Sequence, residues 1–329
     1  MIEFDRRNIR KWSILGMRRT VGAVLSQMAE MDEKFVLTLA DSGRYFLYDE
    51  FKRNHPDRVV DLGIAEQNVV AASAGLANEG YKVYAGAFAT FLSARALDQV
   101  RVNLGYMGLP VKLIAGAGGL ADGNLSATHM GLEDVSNMRN IPGMTVIVPA
   151  DATELVKALT SLLDYDGPAY VKLTGRINLP VVYKEDYDFT IGKANVLREG
   201  DDIAIISNGV VTKNVLDAAE ILEENGISCK VINMHTVKPL DTDILQKIAG
   251  MKLVVTVEEH VVSGGLGGAV SEFYGQQDVR PKQMIIGVEG DTYPDSGEYD
   301  ILMDECGLSK DKLVARIAEA LGREGKQNS

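Results

Sequence analysis

Cysteine is scarce: Cys229 and Cys306 are the only two in 329 residues. They lie far apart and match neither a metal-ligand spacing nor a disulfide framework, so a reducing cytoplasm is the expected setting. Basic residues are also outnumbered. Thirty-four Lys and Arg face 46 Asp and Glu, and the formal net charge of −12 argues against nucleic acid or an anionic membrane as partner. No apolar run approaches the roughly 20 residues that cross a bilayer. The opening "MIEFDRRNIRKW" has no apolar core of a secretory leader. A G-x-x-x-x-G-K-[ST] phosphate loop is missing too. The stretch "SGGLGGAV" (263–270) fails the dinucleotide spacing because Val270 stands at the third glycine position, which leaves close helix–strand packing as its reading.

What is present is a regular alternation. "KFVLTLAD" (34–41), "RVVDLG" (58–63), "KVYAGAF" (82–88), "PVKLIAG" (110–116), "MTVIVPAD" (144–151) and "PAYVKLTG" (168–175) read as strands. Amphipathic or small-residue stretches at 65–79, 91–107, 132–140 and 152–164 read as helices between them. A charged stretch without periodicity, 176–202, reads as a linker plus the entry into a second domain. Beyond it the alternation restarts with strands near 203–207, 228–234, 252–259 and 282–290, and helices near 212–225, 241–249, 266–276 and 309–321. The fold class is therefore α/β, with two domains, each a mostly parallel sheet covered by helices on both faces. Ligands of such sheets gather beyond the carboxyl ends of the strands. Asp41, Glu66, Phe88 and the loop 117–131 all fall at such ends, so one crevice is expected to collect them.

Each candidate has an ordinary explanation. Glu66 opens a helix, where the dipole favours an acidic residue by about 0.3–1 kcal/mol; small neighbours such as Gly63 and Ala65 would also let a ligand pack close. Phe88 and Phe91, three residues apart, are either core or a wall for a flat heterocycle. The glycine-rich segment "GAGGLADGNLSATHMGLED" (116–134) is long for a connection in a compact α/β domain, which favours function. It carries His129, a candidate for proton transfer or for binding a substrate oxygen.

Together, "DLGIAEQNVVAASAGLANEGYKVYAGAFATFLSARALDQV", "TVIVPADATE" and "VEEHVVSGGLGG" resemble the carboxyl-terminal part of transketolase, specifically the separately encoded C-terminal subunit of a split enzyme. "GIAEQ" is shared with deoxyxylulose-phosphate synthase, and "PADATE" with the β subunits of 2-oxo acid dehydrogenases. The resemblance implies an aminopyrimidine-binding domain over 14–180 and a transketolase C-terminal domain over 190–323. It implies thiamine diphosphate as cofactor, with Glu66 bonded to N1′ of the pyrimidine, Phe91 stacked on the ring, and Phe88 and Asp41 at its edge. His129 would contact sugar oxygens, and Arg18 and Arg176 would hold the distal anion of the sugar. The Gly-Asp-Gly and downstream Asn that hold a metal-bound diphosphate are missing from this chain. An N-terminal partner subunit would then carry the diphosphate and Mg²⁺ site, in a heterotetramer or larger assembly, and this chain itself would supply no metal ligands.

Two positions depart from the family pattern. Ala117 stands where a phosphate-binding histidine is usual, and Leu125 stands where an acidic residue reads a donor hydroxyl. The expected activity is transfer of a two-carbon ketol unit from an anionic ketose, sulfonated or branched sugars included, to an aldose. The alternatives are a β subunit of a thiamine-dependent 2-oxo acid dehydrogenase, a deoxyxylulose-phosphate-synthase-like enzyme, and an inactive scaffold homologue.

Overall fold

The computed structural model describes residues 2–41, 45, 48–174 and 181–322. Among these, the strands of the first half are β1 (Phe35–Leu39), β2 (Val59–Asp61), β3 (Lys82–Phe88), β4 (Lys112–Gly116), β5 (Thr145–Ile147) and β6 (Ala169–Lys172). Those of the second are β7 (Asn195–Arg198), β8 (Ile203–Ser207), β9 (Cys229–Asn233), β10 (Thr236–Lys238), β11 (Leu253–Val261) and β12 (Lys282–Val288). β1, β4 and β8 are buried at every position, as expected of parallel strands covered on both faces.

One sheet runs β10-β5-β6-β4-β3-β1-β2 and the other β12-β11-β8-β9-β7. Pairing is parallel except at two edges, where β10 runs antiparallel to β5 and β7 antiparallel to β9. The α/β class with two mostly parallel sheets is thus what the chain adopts. The β10–β5 pairing is a difference from the expected separation into two units. Residues after β9 cross over and close the edge of the first sheet, so the halves share backbone hydrogen bonds as well as side-chain contacts.

Helices cover the sheets for legible reasons. Residues Glu66–Asn78 are rich in Ala, and Val69, Val70, Ala74 and Ala77 pack into the core of the first sheet. Each fully buried valine there contributes about 1.5–3 kcal/mol. Ser73 is buried among them and bonds Thr38 Oγ1 at 2.7 Å and the Val69 carbonyl at 2.6 Å, so it adds no unpaired polar group. The N-terminal span Arg6–Met31 is two helices joined at Gly16, whose φ of 69° no helix interior tolerates. Its buried Trp12, Met17, Val21, Leu25 and Met28 share a core with the helix Ala152–Ser161. Among the described residues, no helix is long and apolar enough to cross a membrane.

In "SGGLGGAV" the structure shows close packing. A Cβ on Gly267 would lie 2.5 Å from Ile285 Cγ2, and Glu258 accepts the first amides of the helix, Leu266 N at 2.7 Å and Gly267 N at 2.8 Å. The carboxylate caps the helix by taking its orphan donors.

Candidate active site

The carboxyl ends of β1 to β4 face one region. After β2 the chain turns at Gly63, with φ 68°, and Glu66 becomes the first residue of the helix that follows. Its side chain is 3% exposed, so it needs a partner. That partner is Arg95, whose Nη1 lies 2.9 Å from Glu66 Oε2. Arg95 closes the wide turn that begins at Phe91, a π-helical segment in which Ala96 N bonds the Phe91 carbonyl at 2.9 Å. The four-residue spacing sets both side chains on one face, and the guanidinium carbon lies 3.9 Å over the Phe91 ring. Sequence reasoning missed Arg95, since a lone charge on a helix is usually solvated.

Phe88 ends β3, and its ring meets Phe91 at 5.5 Å and His129 at 5.3 Å, both edge-to-face. His129 is also 5.3 Å from Phe91. The three rings therefore form one cluster, with Glu66 joined to it through Arg95 and Phe91. Arg18 joins from the other side through Tyr45. Its Nε donates to the Tyr45 carbonyl, its guanidinium lies 4.0 Å over the Tyr45 ring, and that ring is 4.6 Å from Phe88. Tyr45 donates to Asp122 Oδ2 at 2.5 Å, and burial together with this carboxylate pushes its phenol well above the usual tyrosine value.

Asp41 stands apart. It is exposed just after β1 at φ 55°, a strained conformation for a residue with a Cβ, and its amide donates to Asp61 Oδ1 at 3.3 Å. Asp61 also accepts from Gly63 N at 3.2 Å and from Lys52 Nζ at 2.8 Å, so it orders the turn leading to Glu66. Among the described residues, nothing links the Asp41 carboxylate to the aromatic cluster. Arg176 lies outside the described residues.

The glycine-rich loop is clamped by the second half of the chain. Glu259, on β11, accepts Leu120 N at 2.6 Å and the Tyr299 hydroxyl at 2.8 Å. Burial raises its carboxyl above the ordinary value. Lys172 binds Asp134 at 2.8 Å, the Gly131 carbonyl at 3.0 Å and the Glu259 carbonyl at 3.1 Å. Gly119, at φ 74°, passes so close that a Cβ there would collide with Glu259 Oε1. Of the two departures in this loop, Ala117 is fully buried at φ 55°, and Leu125 is 49% exposed.

The family model for the transketolase pyrimidine-binding domain matches residues 14–180, and that for the transketolase C-terminal domain matches residues 192–313. The chain belongs to the transketolase family. It is 36% identical to a transketolase C-terminal section of Methanocaldococcus jannaschii, over 94% of this chain and 97% of that one. It is 37% identical to a subunit of the 6-deoxy-6-sulfo-D-fructose transketolase of Clostridium sp., covering 93% and 95%. One of the subunits of the apulose-4-phosphate transketolase of Phocaeicola vulgatus is 35% identical, covering 92% and 97%. Among solved structures, a split-gene transketolase described as an inactive beta4 tetramer matches with a TM-score of 0.83 and 33% identity, over 94% of this chain and 99% of that one. A 1-deoxy-D-xylulose-5-phosphate synthase of Carboxydothermus hydrogenoformans is 35% identical, but the chain spans 44% of its length.

Proposed function

We propose that the chain is the C-terminal subunit of a two-chain transketolase dependent on thiamine diphosphate and Mg²⁺. It moves a two-carbon ketol unit from an anionic ketose to an aldose. The observation that carries this reading is the pairing of buried Glu66 with the half-buried face of Phe91, bridged by Arg95. A guanidinium is planar, donates N–H groups and covers an aromatic face. It therefore stands in for an aminopyrimidine that stacks on Phe91 and holds, at a ring nitrogen, the proton shared with Glu66, and the residues present fit that half of the cofactor.

Bound there, thiamine diphosphate supplies the nucleophilic carbon and the electron sink that ketol transfer needs. The chain's own residues do the rest. Glu66 shares a proton with the ring nitrogen N1′, a task suited to a carboxylate withdrawn from water. Phe91 and Phe88 form an apolar wall against the ring. His129 contacts sugar oxygens, while Arg18 and Arg176 hold the distal anion, a geometry suited to guanidinium forks. Arg95 moves off Phe91 when the ring binds.

The diphosphate and Mg²⁺ fall to an N-terminal partner, since this chain lacks the Gly-Asp-Gly and Asn pattern for them. Exposed apolar residues on the segment that carries Phe91 and Arg95 support a covered surface: Tyr106 is 89% and Met107 55% exposed. The description of the related beta4 tetramer as inactive supports the need for a second kind of subunit. Near-complete mutual coverage with split-transketolase subunits favours this reading over a deoxyxylulose-phosphate synthase, of which the chain spans less than half.

The donor is proposed to differ from an ordinary ketopentose phosphate at the hydroxyl or anion that Ala117 and Leu125 no longer read. A hydroxyl-binding site rejects a substrate without the hydroxyl strongly, whereas an apolar side chain rejects an added hydroxyl weakly. A sulfonated or branched sugar fits, and one relative is named for a 6-deoxy-6-sulfo-D-fructose and another for apulose 4-phosphate. The test is kcat/KM in the reconstituted two-subunit complex for xylulose 5-phosphate, fructose 6-phosphate, 6-sulfo-fructose and a branched ketopentose phosphate. The last two are expected to lead. A lead for xylulose 5-phosphate contradicts the donor assignment, and no ketol transfer from any donor contradicts the function.

A further inference from the structure

His129 sits edge-on to Phe88 and Phe91, and its Nδ1 is 3.0 Å from Thr128 Oγ1. The same hydroxyl is 2.9 Å from the Leu125 carbonyl oxygen. A hydroxyl carries one proton, and a carbonyl oxygen only accepts. The Thr128 proton is therefore committed to Leu125, and in the second contact the histidine must donate. That places the ring proton on Nδ1 and leaves the lone pair on Nε2. The turn keeps these groups together, because His129 N bonds the Ser126 carbonyl at 3.0 Å and Ser126 adopts φ 63°.

We infer that Thr128 is a positioning residue that holds neutral His129 as the Nδ1–H tautomer, so that Nε2 is an acceptor. The tautomer of an imidazole is set by the hydrogen bond at its other nitrogen, and Thr128 supplies that bond. The consequence for catalysis rests on the ketol-transfer reading. An Nε2 acceptor takes a hydrogen bond or a proton from a sugar hydroxyl, becoming an imidazolium with both nitrogens protonated, and returns that proton to the same oxygen. The neutral ring cannot donate from Nε2 to a sugar carbonyl oxygen. Thr128 and the Leu125 carbonyl thereby decide which sugar oxygen His129 recognises.

The test is the ¹⁵N spectrum of the full-length chain with labelled histidine, recorded above pH ~8, where an unperturbed imidazole is neutral. The chain has four histidines, and His129→Gln assigns the signal. The expected result is a protonated Nδ1 and an unprotonated Nε2 in the wild type. The pattern should survive in Thr128→Ser, which keeps the hydroxyl, and be lost in Thr128→Val, which keeps the shape. A wild-type ring protonated at Nε2, or an Nδ1–H tautomer that persists in Thr128→Val, overturns the inference. In the reconstituted complex, Thr128→Val is expected to lower kcat/KM for ketol transfer by about 10²-fold, with recovery in Thr128→Ser. The spectrum is read on this chain alone, so a wild-type complex without ketol transfer overturns the functional reading and not this assignment.

Discussion

Arg95 and Glu66 are bound Nη1 to Oε2 at 2.9 Å, although Arg95 is 42% exposed and Glu66 only 3%. The two ends of this pair face different environments. The arginine can leave for water, but the carboxylate cannot follow. Such a pair suits a site in which the buried group exchanges one planar donor for another.

Removing the arginine therefore exposes the cost of the buried carboxylate. Arg95→Ala is expected to destabilise the chain by about 1–3 kcal/mol, because an acceptor withdrawn from water loses its donor. Adding Glu66→Gln to it should recover much of that loss. Urea unfolding of the two single variants and the double variant measures the coupling. Strict additivity would show that the pair contributes nothing.

Gly119 makes a second, purely steric prediction. Its φ of 74° strains any residue with a Cβ, and Glu259 Oε1 occupies the space a Cβ would fill. Gly119→Ala should cost about 1–3 kcal/mol through overpacking and backbone strain together. The cost should shrink in a Glu259→Ala background, where the clash is removed and the strain remains. Equal costs in both backgrounds would place the clash elsewhere.

Asp151 and Glu154, in "PADATE", predict a pH effect. Burial raises both carboxyls to about 6, against hydrogen bonds that oppose the shift, from Tyr183 N and Glu154 N at Asp151 and from Ala150 N and Asn233 at Glu154. Their ordinary values are 3.8 and 4.5. The folded state thus binds more protons than the unfolded chain, and this contribution to stability is complete at low pH and lost as pH rises through about 6. Glu154→Gln removes one such group. Its stability relative to the wild type should rise by about 2 kcal/mol between pH ~4 and ~7. Denaturant midpoints across that range provide the check, and parallel curves for the two proteins would contradict it.

The buried Ala117 makes a fourth case. The histidine that the family pattern carries at this position has no room in an environment that is fully buried here. Ala117→His should destabilise by about 1–3 kcal/mol, visible as a lowered Tm. An unchanged Tm would mean that the loop accepts the larger side chain and that the departure is not a repacking.

The parallel strands were legible because burial on both faces writes continuous apolar runs; "IAIIS" coincides with β8 residue for residue. β7 was hidden in a charged stretch because none of its residues is fully buried. β10 was hidden because three residues carry no period, and its partner β5 lies in the other half of the chain. The N-terminal helices escaped because Gly16 interrupts their pattern. In the site, Glu66, Phe88, Phe91 and His129 were visible as unusual residues at strand ends. Arg95, Asp61, Lys172 and Glu259 were not, because each matters through a partner distant in sequence.

The central claim is that Glu66 works on the aminopyrimidine and not only as the first residue of a helix. The most direct measurement is exchange of the thiazolium C2 proton in the complex of this chain with its N-terminal partner, Mg²⁺ and thiamine diphosphate. Glu66→Gln keeps the size of the side chain but cannot exchange a proton with N1′, so the exchange rate should fall by at least about 10²-fold. Exchange in Glu66→Gln at the wild-type rate would contradict the account.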